Sequence, residues 1–391
     1  MNSVRVIVAI VAVVAGMYLA QSVTVKRNET AAIEPPPPYV PPRRFGPFRG
    51  VAIQLASNYK AAERYGRLVR EVAALGADSV MFTVDAYQEH AGSGGVKTDP
   101  EHIPSREDLL AIMRIAEKED LRIIIMPKVL LSDPRGNEWR GVIQPNDWNQ
   151  WFARYTEFLN YVADVAREGR ADVLMIGSEL VSTEKYTNRW NTIIAQMRKK
   201  FSGLLGYSAN WDHYKNIEFW QHLDLIGMTS YHTLAEGPCP PIERIIETWK
   251  PIKHELLKWQ ATIGKPLFFT EVGWCSQEGS AEFPWNYYHK QEATEAGHEE
   301  QRRTYVAFIK TWMGVKQVGG VIWWEWTESF GGKDDYDYTP KGKPAEKELR
   351  RWFQNARLHR ADPALGRTDQ GGPPERARQP KPGSLTQPSI P

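Results

Sequence analysis

Short runs of apolar and β-branched residues punctuate the middle of the chain. Four come early: GVAIQ (50–54), SVMFTV (79–84), LRIIIMPK (121–128) and DVLMIGSE (172–179). Four more follow: LLGYSAN (204–210), LDLIGMTSYH (223–232), PLFFTEVGW (266–274) and GGVIWWEW (319–326). Nearly continuous apolar runs of this length read as strands buried on both faces. Between most of them, apolar positions recur at helical spacing. SREDLLAIMRIAEKEDL opens at Ser105 with Asp108 three residues on, a start resembling a capping box, and Leu109, Ile112, Met113, Ile115 and Ala116 mark one face. WNQWFARYTEFLNYVADVAREG repeats the pattern and stops at Gly169, and EEQRRTYVAFIKTWMGV does so before the last run.

Eight strands alternating with helices predict a closed (β/α)8 barrel, an α/β fold with a single catalytic domain. A doubly wound open sheet is the alternative, weakened because no Gly-rich phosphate loop follows the first strand. The barrel is expected over residues 46–358. Residues 1–22 carry a single Arg and the apolar run from Val6 to Ala20, too short for a full span of about 20 residues. They read as a signal peptide, or else as an uncleaved membrane anchor, and either places the protein outside the cytoplasm. Residues 23–45 form a Pro-rich linker, and residues 359–391 a Pro- and Gly-rich tail expected to be disordered.

Composition narrows the function. With 42% hydrophobic residues and 15 Trp among 391, the chain can build a large core. Lys and Arg total 49 against 47 Asp and Glu, so no basic field points to nucleic acid. The nine His lack metal-ligand spacing, and no metal or cofactor is called for. DDYDY (334–338) lacks the Gly and terminal Glu of a calcium loop and reads as a solvated acidic turn.

In a barrel the C-terminal strand ends share one face, where active sites sit. The fourth run ends at Glu179 and the seventh reaches Glu271, while others end in Gln54, Asp85, Lys128, Asn210 and Tyr231. A Glu at a strand end is by default the first solvated residue of a loop. Two of them across the mouth have the makings of a retaining glycosidase, whose carboxyl groups stand about 5 Å apart.

From about Phe48 to Phe353 the chain resembles the glycoside hydrolases of clan A, and most closely family 113, the β-mannanase family. The matching pieces are IGSEL, YSANWD, DLIGMTSY, FFTEVGW and GVIWWEW, in order along the barrel. The resemblance implies Glu179 as acid/base, Glu271 as nucleophile and Tyr231 as the phenol that orients the nucleophile. It implies a β-linked glycan as substrate, mannan favoured. Lys128, Asn210 and Trp211 fall where such enzymes bind sugar. Many clan members carry Asn immediately before the acid/base, where this chain has Ser178; this departure bears on which sugar is cleaved. A relative acting on another β-glycan is one alternative, and a catalytically silent carbohydrate-binding barrel is another.

Of the Trp cluster, Trp324 is the candidate sugar platform, with barrel filling the plainer role for Trp323, Trp324 and Trp326 alike. Glu325 reads as a structural hydrogen-bond partner, and His213 and His232 as strand-end residues within possible reach of substrate. Cys239 and Cys275 follow neighbouring strands; a disulfide and two separate thiols are both open.

Overall fold

The computed structural model describes residues 46–361, and side chains within them to residue 355. The apolar N-terminal segment, the Pro-rich linker and most of the tail lie outside the described residues. Eight parallel strands close into a barrel in chain order. They are β1 (Phe48–Gln54), β2 (Ser79–Gln88), β3 (Arg122–Leu131), β4 (Val173–Ser178), β5 (Leu204–Ala209), β6 (Leu225–Thr229), β7 (Leu267–Val272) and β8 (Val318–Trp323). The helices are α1 (Ala61–Leu75), α2 (Arg106–Lys118), α3 (Trp148–Glu168), α4 (Thr187–Lys200), α5 (Ile242–Ile263), α6 (Glu295–Trp312) and α7 (Pro344–Ala361). Helix α7 includes residues 359–361, which the sequence assigns to the tail.

Each strand divides its side chains between two apolar layers, because successive residues of a strand point to opposite faces. On β1, Val51 and Ile53 join the layer under the helices. Ala52 between them joins the barrel interior with Met81, Ile124, Met175, Phe268 and Ile322. Both layers are dry, which is why the strands read as unbroken apolar runs. No helix among the described residues is long and apolar enough to cross a membrane.

Local signals account for the helix boundaries. Ser105 Oγ accepts from the Asp108 amide at 3.1 Å and donates to the Asp108 carboxylate at 3.0 Å. Asp147 caps α3, accepting from the amides of Asn149 and Gln150, a contact worth about 1 kcal/mol. That helix ends before Gly169 as expected, yet Gly169 keeps φ −77° and Arg170 takes the left-handed turn.

Two features depart from a regular repeat. After β5 the chain forms two short 3-10 turns, Tyr214–Asn216 and Phe219–His222, in place of an α-helix. Phe219 and Trp220 are buried there, Phe219 stacking on Trp190 of α4 at 5.3 Å. Strands β2 and β3 also continue past Asp85 and Lys128, which pair side by side within the ladder.

Candidate active site

The mouth of the barrel gathers six charged side chains, most of them buried. Glu271 is the fifth residue of β7 and is 3% exposed. Its Oε1 accepts from Lys128 Nζ at 3.2 Å and its Oε2 from the Tyr231 hydroxyl at 2.9 Å. Burial, and then the charge of Glu271, push the Tyr231 phenol well above its ordinary pKa, so it stays a donor. Both oxygens of the Glu271 carboxyl group are thus engaged by donors from other strands or strand ends.

Glu179 directly follows β4 and is 5% exposed. Its Oε1 accepts from Thr229 Oγ1 at 2.9 Å, and its Oε2 is ion-paired with Arg140. Burial raises its pKa, Arg140 opposes that rise, and the negative charge of Glu271 adds to it. Thr229 is also the ladder partner of Glu271, so one residue links the two carboxylates. The two acids therefore sit in different settings, Glu271 between an ammonium and a phenol, and Glu179 against a hydroxyl and a guanidinium where burial raises its pKa.

Lys128 does further work: its ammonium lies 4.1 Å from the centre of the Trp324 ring, within cation–π reach. Among the three tryptophans of the cluster, Trp324 alone joins the interior layer. Trp323 stacks on Tyr305 at 4.3 Å beneath the helices, and the Trp326 indole donates to Glu71 at 2.8 Å. Glu325, joined to Trp324 by a cis peptide, accepts from Gln54 at 2.8 Å, and burial lifts its pKa to about 7. Gly273 is required beside this turn, since a Cβ there would stand 2.2 Å from the Trp324 carbonyl oxygen.

The remaining residues singled out in the sequence sit around this centre. Ser178 pairs with Ser208, and its hydroxyl is buried without a partner. Asn210 Oδ1 lies 3.5 Å from the Thr229 hydroxyl, and its amide donates to Asp212 at 2.9 Å. Trp211 lies nearly parallel to Trp285 at 6.1 Å and contacts His232 at 5.1 Å. His232 is buried, which lowers its pKa to about 4. His213 instead turns outward to Asp212, 2.6 Å away.

Two residues were missed. Arg140 arrives on a 3-10 turn, Arg140–Val142, in the connection after β3. Thr229 hides within the apolar run of β6. Asp85, a ladder neighbour of Lys128, is 1% exposed with no hydrogen-bond partner on either oxygen.

One expectation is corrected, and of the two readings open for the cysteines the separate thiols hold. Cys239 and Cys275 are both free. The Cys239 amide donates to Glu300 at 2.6 Å and its Sγ faces the Ala296 carbonyl at 3.8 Å, whereas Cys275 is buried in the interior layer. Adjacent loops thus aim their thiols at different neighbours. The acidic turn 334–338 is not a freely solvated one. Asp335 accepts from the buried Lys343 at 2.6 Å and from Ser329 at 2.6 Å, and Lys343 also donates to Ser276 and to the Asp337 carbonyl.

Known proteins share this fold. The model of glycoside hydrolase family 113 matches residues 55–343. The β-mannanase AaManA of Alicyclobacillus acidocaldarius, a family 113 protein solved with ManMIm, is 25% identical with a TM-score of 0.70. That match covers 80% of this chain and 98% of AaManA. A family 113 β-1,4-mannanase is likewise 25% identical, TM-score 0.67, covering 79% of this chain and 99% of that one. A Faecalibacterium prausnitzii β-glucuronidase, 12% identical over 79% of this chain and 49% of its own with a TM-score of 0.54, shares the fold alone. No curated protein sequence matches the chain. With the family model spanning most of the barrel, the chain belongs to glycoside hydrolase family 113.

Proposed function

We propose that this glycoside hydrolase cleaves β-1,4-linked mannan or manno-oligosaccharides with retention of configuration. The observation that carries the proposal is the unequal support of the two carboxylates. Glu271 is clamped by Lys128 and Tyr231, both fixed on or just after strands. Such a carboxylate suits attack on the anomeric carbon. Glu179, whose pKa burial raises, suits donation of a proton to the departing glycosidic oxygen. The glycosyl–Glu271 ester would then be opened by water, which loses its proton to Glu179. Mannan is favoured because the family 113 matches of known activity are β-mannanases.

The buried hydroxyl of Ser178 and the amide of Asn210 are the polar groups available to the sugar beside the acid/base. Trp324, roofed by Lys128, and Trp211 offer aromatic faces to a pyranose. The apolar N-terminal segment supports an exported protein, with the glycan met outside the cytoplasm. The test is a hydrolysis screen of the full chain on manno-, gluco-, xylo- and galacto-oligosaccharides, with the first product's anomer read by NMR. Preference for manno-oligosaccharides and a β first product are expected. A different preferred sugar would refute the mannan assignment, an α product the retaining mechanism, and no hydrolysis of any β-glycan the activity itself.

A further inference from the structure

The residue at the centre of the proposed chemistry has an uncommon backbone. Glu179 adopts φ 53°, a left-handed conformation that for a residue with a Cβ costs roughly 1–2 kcal/mol. Something must hold it there. Two amides bracket the turn. The Glu179 N–H donates to the Ser208 carbonyl at 2.8 Å, continuing the ladder to β5. The next amide, Leu180 N–H, leaves the ladder and donates to the Tyr207 hydroxyl at 3.0 Å.

Tyr207 comes from β5 and is fully buried on the helix side of the barrel. Its ring passes so close to Gly177 that a Cβ there would stand 2.9 Å away. Its hydroxyl in turn donates to Glu184 Oε1 at 2.8 Å. Glu184 follows the 3-10 turn Val181–Thr183 and is itself 3% exposed. That turn is fixed at both ends, by Thr183 Oγ1 donating to the Leu180 carbonyl at 2.7 Å and by the Trp190 indole donating to the Thr183 carbonyl at 3.1 Å. The phenol therefore accepts from the amide after Glu179 and donates to a carboxyl carried at the end of the turn that this amide begins.

We infer that Tyr207 and Glu184 are positioning residues for the acid/base, holding the left-handed turn that aims the Glu179 carboxyl into the mouth of the barrel. The inference rests on the reading of Glu179 as acid/base. A phenol bonded only to the amide could rotate its hydroxyl freely. With Glu184 accepting the proton, the oxygen's lone pair is directed at Leu180 N–H. A buried carboxyl is an expensive acceptor: burial lifts Glu184 to about 8 even against the Tyr207 hydrogen bond. An apolar residue would fill the same space without that penalty, which points to the hydrogen bond as the reason for the acid.

The test uses Tyr207→Phe, Glu184→Leu and Glu184→Gln in the full chain, with Glu179→Ala as control. Each is assayed for kcat/KM on two glycosides of the preferred sugar: an unactivated oligosaccharide, and a dinitrophenyl glycoside whose leaving group needs little protonation. For a retaining enzyme this ratio reports the first bond cleavage. Tyr207→Phe and Glu184→Leu are expected to lose about thirtyfold on the oligosaccharide, a part of the 10²–10⁴ a general acid supplies, and less than about threefold on the dinitrophenyl glycoside. Glu184→Gln keeps a carbonyl acceptor for Tyr207 and should recover most of the oligosaccharide activity. Equal losses on both substrates, or no loss in a folded Glu184→Leu protein, would overturn the inference. If Tyr207→Phe does not fold, the Gln and Leu variants at position 184 still decide the matter. A Glu179→Ala control without leaving-group dependence would instead refute the acid/base assignment.

Discussion

Replacing Asp85 by Asn should make the barrel more stable at neutral pH, and the site gives the size of the effect. Asp85 is 1% exposed on β2, and neither carboxyl oxygen has a hydrogen-bond partner. Burial lifts its pKa from the ordinary 3.8 to about 6; Lys128 and Arg140 pull it down, and Glu271 pushes it up. The fold thus prefers the neutral acid. Where a folded pKa lies above the unfolded one, the native state binds the extra proton, so stability is highest below 3.8 and falls as pH rises through about 6. A rise of about two pH units corresponds to about 3 kcal/mol lost once the group is ionised. Asn keeps the shape and the neutral polarity of the protonated acid, so the comparison isolates the charge. Denaturant unfolding of both proteins at pH 4 and pH 8 measures it. The variant should exceed wild type by about 3 kcal/mol at pH 8 and by well under 1 kcal/mol at pH 4. Equal stability at pH 8, or a less stable variant, would show that Lys128 and Arg140 compensate the buried charge fully.

Other outcomes follow from the same geometry. Glu271→Ala should abolish turnover of unactivated glycan, and azide with a dinitrophenyl glycoside should restore it, yielding an α-glycosyl azide identifiable by NMR. Arg140→Gln removes the cation that opposes the raised pKa of Glu179, so the alkaline limb of the kcat/KM profile should move to higher pH. Trp211→Ala should raise KM severalfold for long oligosaccharides and leave kcat near wild type, since the ring offers contact area without touching either carboxylate. Titration of the unfolded, non-reduced protein should count two thiols, as both cysteines are free.

How much of this was legible depended on which residues the ladder itself positions. The strands could be read because both faces of each are dry, and Val51, Ala52 and Ile53 are equally buried although they point opposite ways. Glu179, Glu271, Lys128 and Tyr231 could be read because barrel topology sends every strand end to one face. Arg140 could not, because its place depends on the path of the connection between β3 and α3. The break after β5 was equally hidden: there, large aromatics cover the barrel in place of a helix, and aromatic residues suit either arrangement. For the cysteines, spacing predicts neighbouring loops but says nothing of direction. The positive φ of Cys239 (55°) belongs to a turn that presents its amide to Glu300.

The supports of the two carboxylates also differ in kind, and the difference matches what the proposed double displacement would ask of Glu271 as nucleophile and Glu179 as acid/base. A nucleophile must be ionised and correctly aimed whenever substrate arrives. Glu271 takes its partners from β3 and from just after β6. An acid/base must give up a proton and regain one in each cycle, so no fixed partner can suit both of its charge states. Glu179 takes one partner, Thr229, whose hydroxyl can serve as donor or acceptor by rotating. Its other partner, Arg140, sits on a connection outside the sheet. What is fixed at Glu179 is the backbone, through Ser208 and Tyr207, while the groups that meet its charge are a rotor and a side chain on a loop. Rigid aim with adjustable electrostatics is the combination a group of alternating charge requires.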